Sequence, residues 1–368
     1  MENTEWQKKR LAAFLENREA PKKRLFTKFF KSRPEDYTNA EYVELDVFSS
    51  RDVVAPTLRD ARTGTVVTQS ESWGERRFRP SYIGLEEPIL LYDLMRRLPG
   101  ESDEQLGDNV DWTMRALPVA QKALRKFHNM MGLQIDLQCA QIVQTGRVSL
   151  KDDKGNVSYK LDFGAKATHF PVAGTDWGSA GATPVDDITA LCDTVAADGE
   201  RSPAYLILGS DAFRNLLADA TFQKNVKRDS LGLGMLNPQQ MGLGETYYGW
   251  AMFGMHRLEI YAYNSTYTPA AGSAPVPFLG ADKAVVLPRE DDLDFRTIYG
   301  GIPSRGMVAP FADAFPSVVT YSDDGSFLRA HNRVYWDEKS DCFTVESKCR
   351  PLSVPVSIDR WGCLKTKA

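Results

Sequence analysis

Residues 51–88 read RDVVAPTLRD ARTGTVVTQS ESWGERRFRP SYIGLEEP, and they constrain the architecture more than any other part of the chain. Val and Thr, which favour strands, fill residues 52–58 and 63–68, and Pro56 and Gly64 bound them. The stretch holds six arginines but too few apolar residues for a core of its own. A two-stranded ribbon is at best marginally stable alone in water. The sequence therefore predicts an extended segment that lies on protein surface outside the monomer.

The 368-residue chain is long enough for two or three packing units. It contains no apolar window of about 18 residues, and its N-terminus lacks the apolar segment of a signal peptide, so we expect neither membrane insertion nor secretion. The cysteines are never spaced as Cys-x-x-Cys, which argues for reduced thiols and against a structural zinc site. They are Cys139, Cys192, Cys342, Cys349 and Cys363.

The N-terminal segment is basic, because residues 1–33 hold ten Lys or Arg and four Glu in a chain whose net charge is −4. A basic helical arm can bind nucleic acid, dock on an acidic neighbour or remain solvated, and charge alone favours the last two. The candidate contacts with DNA or with a scaffolding protein are Lys8, Lys9, Arg10, Lys22, Lys23 and Arg24.

Hydrophobic periodicity predicts one long helix over residues 109–145, in which Pro118 marks a kink or a first turn. Its apolar face is predicted at Leu117, Leu124, Phe127, Met131 and Ile135. A hairpin is predicted over residues 148–163, and a second unit begins with a helix that opens at Thr183-Pro184. Further strands are predicted at residues 204–208, 250–263, 297–299, 317–321, 327–335 and 342–346.

The sequence offers no catalytic residue, no metal ligand set and no cofactor motif. Its four histidines are far apart in sequence, and no nucleophile motif accompanies them. The glycines at 232–244 lack the third glycine of a dinucleotide fingerprint and favour a mobile loop. The acids at 290–294 lack calcium-loop spacing and favour a solvated turn.

Aromatic and arginine side chains near the end of the extended stretch can stack on nucleic-acid bases or anchor a protein interface. We favour the interface, since aromatic residues and arginine are the usual anchors of protein contacts. The candidate inter-subunit residues are Trp73, Arg76, Arg77, Phe78, Arg79, Phe29 and Phe30.

The order of basic arm, extended loop, long helix, hairpin, α/β module and returning strands resembles the major capsid proteins of tailed bacteriophages. It is most similar to the lambda-type major capsid protein E family. The similarity covers nearly the whole chain, and it rests on the order and spacing of several short segments. These are Phe29-Phe-Lys31, residues 38–46, Ala55-Pro56 with Gly64, residues 78–83, residues 174–177, the helix start at 184–188, and residues 211–216.

The resemblance implies an α+β fold, the HK97-like major capsid fold. Its expected parts are an N-terminal arm (1–50), an extended E-loop (51–88), a peripheral domain with spine helix and hairpin (89–182), an axial domain (183–289) and a return to the peripheral domain (290–368). In such shells the E-loop lies over the neighbouring subunit. Residues 32–121 contain no lysine, which excludes a lysine-to-asparagine staple from this loop. Arginine would instead hold the loop without a covalent bond.

The implied function is that of a major capsid protein, not an enzyme, which assembles into hexamers and pentamers of an icosahedral head enclosing double-stranded DNA. No cofactor is expected. The expected partners are further copies of the chain, a separate scaffolding protein, a portal, a decoration protein and packaged DNA bound without sequence preference, with no membrane. The expected location is the virion, and the host cytoplasm during assembly. Two alternatives stay open: an encapsulin-like cellular shell, and an α/β enzyme that uses His169 or the acids at 290–294.

Overall fold

The structure is a computed structural model that describes eleven stretches of the chain. Residues 1–23 of the predicted arm and the predicted strands at 52–58 and 63–68 lie outside them. The described residues are 24–33, 35–48, 73–95, 112–151, 155–226, 234–242, 244–270, 272–302, 317–321, 327–337 and 342–367. None of the helices within these residues is both long enough and apolar enough to cross a membrane.

Helices and strands are mixed along the chain. The helices are α1 (Leu25–Phe29), α2 (Leu91–Met95), α3 (Trp112–Thr145), α4 (Pro184–Gly199), α5 (Ser210–Ala218) and α6 (Ala220–Val226). The strands are β1 (Tyr37–Thr38), β2 (Val43–Phe48), β3 (Trp73–Phe78), β4 (Ile83–Leu90), β5 (Arg147–Lys151), β6 (Val157–Asp162), β7 (Pro203–Leu208), β8 (Gly234–Gly242), β9 (Glu245–Phe253), β10 (His256–Tyr263), β11 (Thr266–Tyr267), β12 (Val276–Pro277), β13 (Lys283–Pro288), β14 (Phe295–Gly300), β15 (Ser317–Tyr321), β16 (Phe327–Asp337), β17 (Cys342–Cys349), β18 (Pro351–Pro355) and β19 (Gly362–Lys365).

The described residues fall into two compact units. Unit 1 takes those within Met1–Glu41, Arg79–Cys139 and Arg296–Val354. Unit 2 takes those within Tyr42–Phe78, Ala140–Phe295 and Pro355–Ala368. The chain therefore passes between the units several times, once within helix α3 and once at each end of the β2–β3 pair.

Unit 1 is built on an antiparallel sheet with strand order β15-β16-β17-β4. Helix α3 packs its Leu124 and Phe127 into one core with Ile89 of β4 and Val345 of β17. The predicted apolar face of the helix is confirmed at Leu124, Phe127, Met131 and Ile135, which are all buried. Pro118 lies inside α3, beyond its first turn, so the interpretation as a first turn was wrong.

Unit 2 contains a six-stranded mixed sheet with strand order β19-β13-β7-β10-β9-β8. Helices α4, α5 and α6 pack their apolar side chains against it, including the fully buried Ile188, Leu191 and Leu216. Helix α4 begins at Pro184, as predicted, because proline fits the first turn and Asp186 and Asp187 follow it there. The unit also contains the two-stranded sheets β2–β3 and β5–β6.

Three predictions differ from the structure. Residues 83–88, assigned to the extended loop, lie in β4, which pairs with β17 of the same chain, so their cover is intramolecular. The glycine-rich segment at 234–242 is strand β8, although its pairing with β9 has two register shifts. Residues 362–365, assigned to the peripheral return, form β19 beside β13 in the six-stranded sheet. The first and third differences depend on a pairing partner far away in sequence, which local patterns do not reveal, whereas β8 pairs with the next strand along the chain.

Candidate inter-subunit interface

The ribbon is the name we give to the antiparallel pair β2–β3, in which Val43 lies opposite Phe78 and Phe48 opposite Trp73. Strand β2 alternates apolar and charged residues from Val43 to Val47, a pattern that suits a strand with one covered face. Among the described residues no third strand joins this sheet. Its backbone edges are therefore templates for further contacts, as edge strands generally are.

The base of the ribbon packs within its own chain. Phe78 is buried, and its ring centroid lies 5.5 Å from that of Phe163, which directly follows β6. The candidate Phe78 is thus packed in the core of unit 2, and its role as an interface anchor stays a prediction. For Trp73 and Arg76 the structure describes the backbone in β3, and their side-chain role stays a prediction.

The two arginines after Arg76 are exposed. Arg77 lies opposite Glu44 in the ribbon, and Arg79, with 65% of its side chain exposed, pairs with Glu41 at 3.2 Å. Exposed ion pairs of this kind contribute only about 0.2–1 kcal/mol, so their value for monomer stability is small. Their guanidinium groups remain on the surface, where a planar fork can grip a carboxylate.

The candidates Phe29 and Phe30 are not on the surface. Phe30 is 1% exposed, and Phe29 is buried with Leu25 and Phe26 on the short helix α1. Their assignment to an inter-subunit contact stays a prediction, although side chains covered by their own chain have little surface left to bury. A run of aromatic residues in a sequence does not reveal whether they are buried by their own chain or by another copy.

Arg24, predicted as a contact for DNA or scaffold, is held by the body of unit 1. Its Nε lies 3.4 Å from Oδ2 of the buried Asp136 on α3, and the Thr27 hydroxyl donates to Oδ1 of the same carboxylate. Asp136 thereby anchors the beginning of α1. The other candidates, Lys8, Lys9, Arg10, Lys22 and Lys23, lie outside the described residues.

His169, the residue of the enzyme alternative, is completely buried in unit 2. Its Nδ1 lies 2.7 Å from the Trp361 carbonyl oxygen and its Nε2 lies 3.0 Å from Oδ2 of Asp198. Lys166 pairs with the same carboxylate at 3.3 Å, and the hydrogen bond from His169 followed by this lysine lowers the pKa of Asp198. Both ring nitrogens are engaged in structural contacts, so the geometry does not favour proton transfer to a substrate.

The remaining candidate chemistry has similar structural partners. In the acidic segment at 290–294, Asp292 pairs with Arg201 at 3.1 Å, and its carbonyl accepts a hydrogen bond from Arg360. Burial raises the pKa of the Cys192 and Cys363 thiols to about 12, which makes them poor nucleophiles. Within the described stretches, no three His, Cys, Asp or Glu side chains are grouped in a way that could hold a metal ion.

Comparisons with known proteins agree with this geometry. Residues 8–323 match the family model of phage major capsid protein E, whereas no curated protein matches the sequence. Among solved structures, the chain is similar to a proposed capsid protein of a prophage of E. coli CFT073, with 17% identity, a TM-score of 0.63 and 98% of both chains covered. This likeness confirms the predicted α+β HK97-like capsid fold.

Two further solved structures are more distant. The capsid of cyanophage P-SCSP1u shares 9% identity at a TM-score of 0.49, over 95% of this chain and 89% of that chain. The holo-SrpI encapsulin of Synechococcus elongatus PCC 7942 shares 10% identity at a TM-score of 0.44, over 95% and 91%. Neither likeness carries an argument at these TM-scores. The family match over most of the sequence does, and it shows that the chain belongs to the phage major capsid protein E family: it is a major capsid protein, a structural subunit of the virion shell.

Proposed function

We propose that the chain assembles into hexamers and pentamers of an icosahedral head that encloses double-stranded DNA, and that the ribbon makes the principal contact between neighbouring copies. The observation that carries this proposal is the two-stranded β2–β3 sheet, which has no third strand among the described residues and presents the exposed Arg77 and Arg79 beside it. A ribbon of two strands needs additional protein surface for independent stability.

In this proposal the parts of the chain act as the resemblance implies. Residues 1–50 form an arm, 51–88 an E-loop, 89–182 and 290–368 a peripheral domain, and 183–289 an axial domain. The loop is trimmed at its C-terminal end, because β4 belongs to a sheet of unit 1. Assembly takes place in the host cytoplasm before the head becomes part of the virion.

The proposed partners follow from the charge distribution and from the chain's own segments. The basic residues between 8 and 23 contact an acidic scaffold or packaged DNA, which phosphate charge makes possible without sequence preference. A separate scaffolding protein is proposed as a further partner. A portal and a decoration protein complete the head. Uniform closed shells formed without any scaffold would contradict the scaffold proposal.

Electron microscopy of the purified, overexpressed protein, with analytical sedimentation of the same sample, tests the function. We expect shells, sheets, tubes or capsomer rings, because major capsid proteins present several self-complementary surfaces. A monomer or dimer that persists at high concentration and in the presence of scaffold would contradict the proposal. Shells that enclose a cargo enzyme and no nucleic acid would instead support the encapsulin-like alternative.

A further inference from the structure

A buried arginine contacts the end of the chain segment that leads into the ribbon. Arg350, between β17 and β18, is 8% exposed. Its Nη1 donates to the Gly301 carbonyl at 2.8 Å, and its Nη2 donates to the Glu41 carbonyl at 3.2 Å. Glu41 is the last residue before the ribbon segment Tyr42–Phe78. One guanidinium therefore binds the backbone at the point where the chain leaves unit 1.

The other end of the ribbon segment meets the same cluster. Arg79, the first residue after the segment, pairs with Glu41 through Nη2 and Oε1 at 3.2 Å. A Cβ atom added to Gly300 would lie 3.0 Å from Cγ of Pro80 and 3.4 Å from Cζ of Arg350. The glycine backbone thus fills the narrow space between the Pro80 ring and the guanidinium. The residues on either side of the ribbon segment, Glu41 before it and Pro80 after it, therefore lie in one small cluster with Gly300 and Arg350.

The neighbouring glycine closes the cluster on its remaining side. A Cβ atom on Gly301 would lie 2.8 Å from Cα of Asn39, so only glycine lets the backbone come this close. The Gly300 amide also donates to the Arg350 carbonyl at 2.9 Å. Side chain and backbone of Arg350 therefore both hold the segment Gly300–Gly301, which in turn touches the residues before and after the ribbon.

The chemistry of Arg350 is unusual for a buried cation. Among the described residues its acceptors are two uncharged carbonyls, and no carboxylate forms an ion pair with it. Burying a charge without an opposite charge is unfavourable, and a well-packed apolar residue would often be more stabilising. A planar guanidinium, however, presents several donors in a fixed geometry, and it can bind two backbone segments at once where an apolar side chain cannot.

We propose that Arg350 is a positioning residue for the ribbon: its guanidinium holds the Glu41 carbonyl directly and Pro80 through the Gly300–Gly301 backbone, so that the ribbon between them meets a neighbouring copy in one arrangement. The inference rests on the proposed function, since positioning matters only if the ribbon binds another copy. Arg350 positions the ribbon through the hydrogen bonds that its side chain donates to backbone carbonyls. The arginines of the ribbon itself make the contact with the neighbouring copy.

Hydrogen exchange and assembly of Arg350→Met, Arg350→Lys and Arg360→Met test this role. Arg360→Met is the matched control, because Arg360 also donates to a backbone carbonyl, that of Asp292 at 2.7 Å, but does so in unit 2. In Arg350→Met we expect about tenfold faster amide exchange, confined to residues 39–42 and 79–82. Loss of the two hydrogen bonds from the guanidinium allows local opening there. Thermal unfolding should change little, and shells should be lost or irregular.

The outcomes separate positioning from a general structural role. Arg350→Lys should keep the charge but restore exchange protection only in part, because an ammonium group cannot bind both carbonyls in the same fork. Unchanged exchange at 39–42 and 79–82 in both Arg350 variants would overturn the inference. Faster exchange throughout unit 1 would also overturn it. So would an equal increase of exchange at 39–42 and 79–82 in Arg360→Met. A wild-type protein that does not assemble would overturn the proposed function, while the exchange comparison still decides the role of Arg350.

Discussion

The six-stranded sheet and the ribbon are both β structure in unit 2, yet they are stabilised in different ways. The sheet has helices α4, α5 and α6 on it and buries side chains such as Leu206, Leu258 and Val286 completely. The ribbon has two strands and is packed at its base, where Phe78 meets Phe163. The chain thus supplies the core of its sheet by itself, while for the ribbon we propose that a neighbouring copy supplies the rest of the cover.

The largest effect on the monomer is expected from Trp361→Ala, which removes a side chain beside the sheet. Trp361 is completely buried, packs edge-on against Phe295 at 5.1 Å and donates Nε1–H to the Val143 carbonyl at 3.2 Å. The free energy of unfolding should fall by about 3–5 kcal/mol, as for other buried tryptophans replaced by alanine. Chemical denaturation measures it. Trp361→Phe, which keeps an aromatic ring, should lose clearly less, and equal losses would contradict the packing argument.

The next largest effect is expected at α1, whose residues the sequence analysis assigned to contacts with other molecules. Arg24→Ala removes the cation that lies 3.4 Å from the buried Asp136 carboxylate and should lower the free energy of unfolding by about 3 kcal/mol. The double variant Arg24→Ala with Asp136→Asn should lose less, because no charge stays buried. Arg33→Ala is the control, since Arg33 is exposed and pairs with the exposed Glu35 at 3.7 Å. Equal losses for Arg24→Ala and Arg33→Ala would show that the anchor is unimportant.

A smaller, pH-dependent effect is expected from Asp198→Asn in unit 2. The hydrogen bond from His169, with Lys166, lowers the pKa of Asp198, so this carboxylate stabilises the fold above its unfolded pKa of about 3.9 and loses that contribution as pH falls below it. At pH 7 the variant should lose about 1 kcal/mol. The difference from wild type should vanish in strong acid. Denaturation at several pH values measures it, with the exposed Asp193→Asn as control.

The smallest effect on the monomer, and the largest on assembly, is expected from Arg76→Glu with Arg77→Glu in the ribbon. Arg77 is exposed, and substitutions at exposed positions usually change the free energy of unfolding by less than about 0.5 kcal/mol, so we expect the monomer to stay folded. Reversed charges should block or distort assembly, which electron microscopy and sedimentation detect. The control is Arg147→Glu with Lys160→Glu on another two-stranded sheet, β5–β6. Normal shells from the ribbon variant would end its assignment as an interface.

Local patterns were sufficient for the elements that depend on a single face or a single turn. The helix predicted over 109–145 is observed as Trp112–Thr145, and the helix opening at Thr183-Pro184 begins at Pro184. The buried strand predicted at 204–208 lies within β7. These features follow from periodicity and from residues such as proline that have strong positional preferences, so they require no knowledge of distant partners.

The sequence does not reveal which distant partner covers a given side chain or pairs with a given strand. Phe29, Phe30 and Phe78 were recognised as side chains that need cover, but composition does not reveal whether the cover comes from the same chain or from another copy. The same holds for β4, whose partner β17 lies more than 250 residues further along. Arg350 gave no sequence signal, because its acceptors are backbone carbonyls and every residue has one. A lone arginine between two strands has no pattern to recognise.

The place of β19 in the six-stranded sheet has a kinetic consequence. This strand pairs with β13, and β13 pairs with β7, whose residues precede β19 by about 150 positions. Sheets closed by such remote pairings have high contact order and fold slowly, because the entropy of closing long loops is lost before the contacts form. Newly made chains should therefore spend time with an unfinished sheet edge. The supply of subunits competent to join a growing shell is then set by the folding rate of unit 2, and slow supply lets shells that have already started grow to completion before new ones begin.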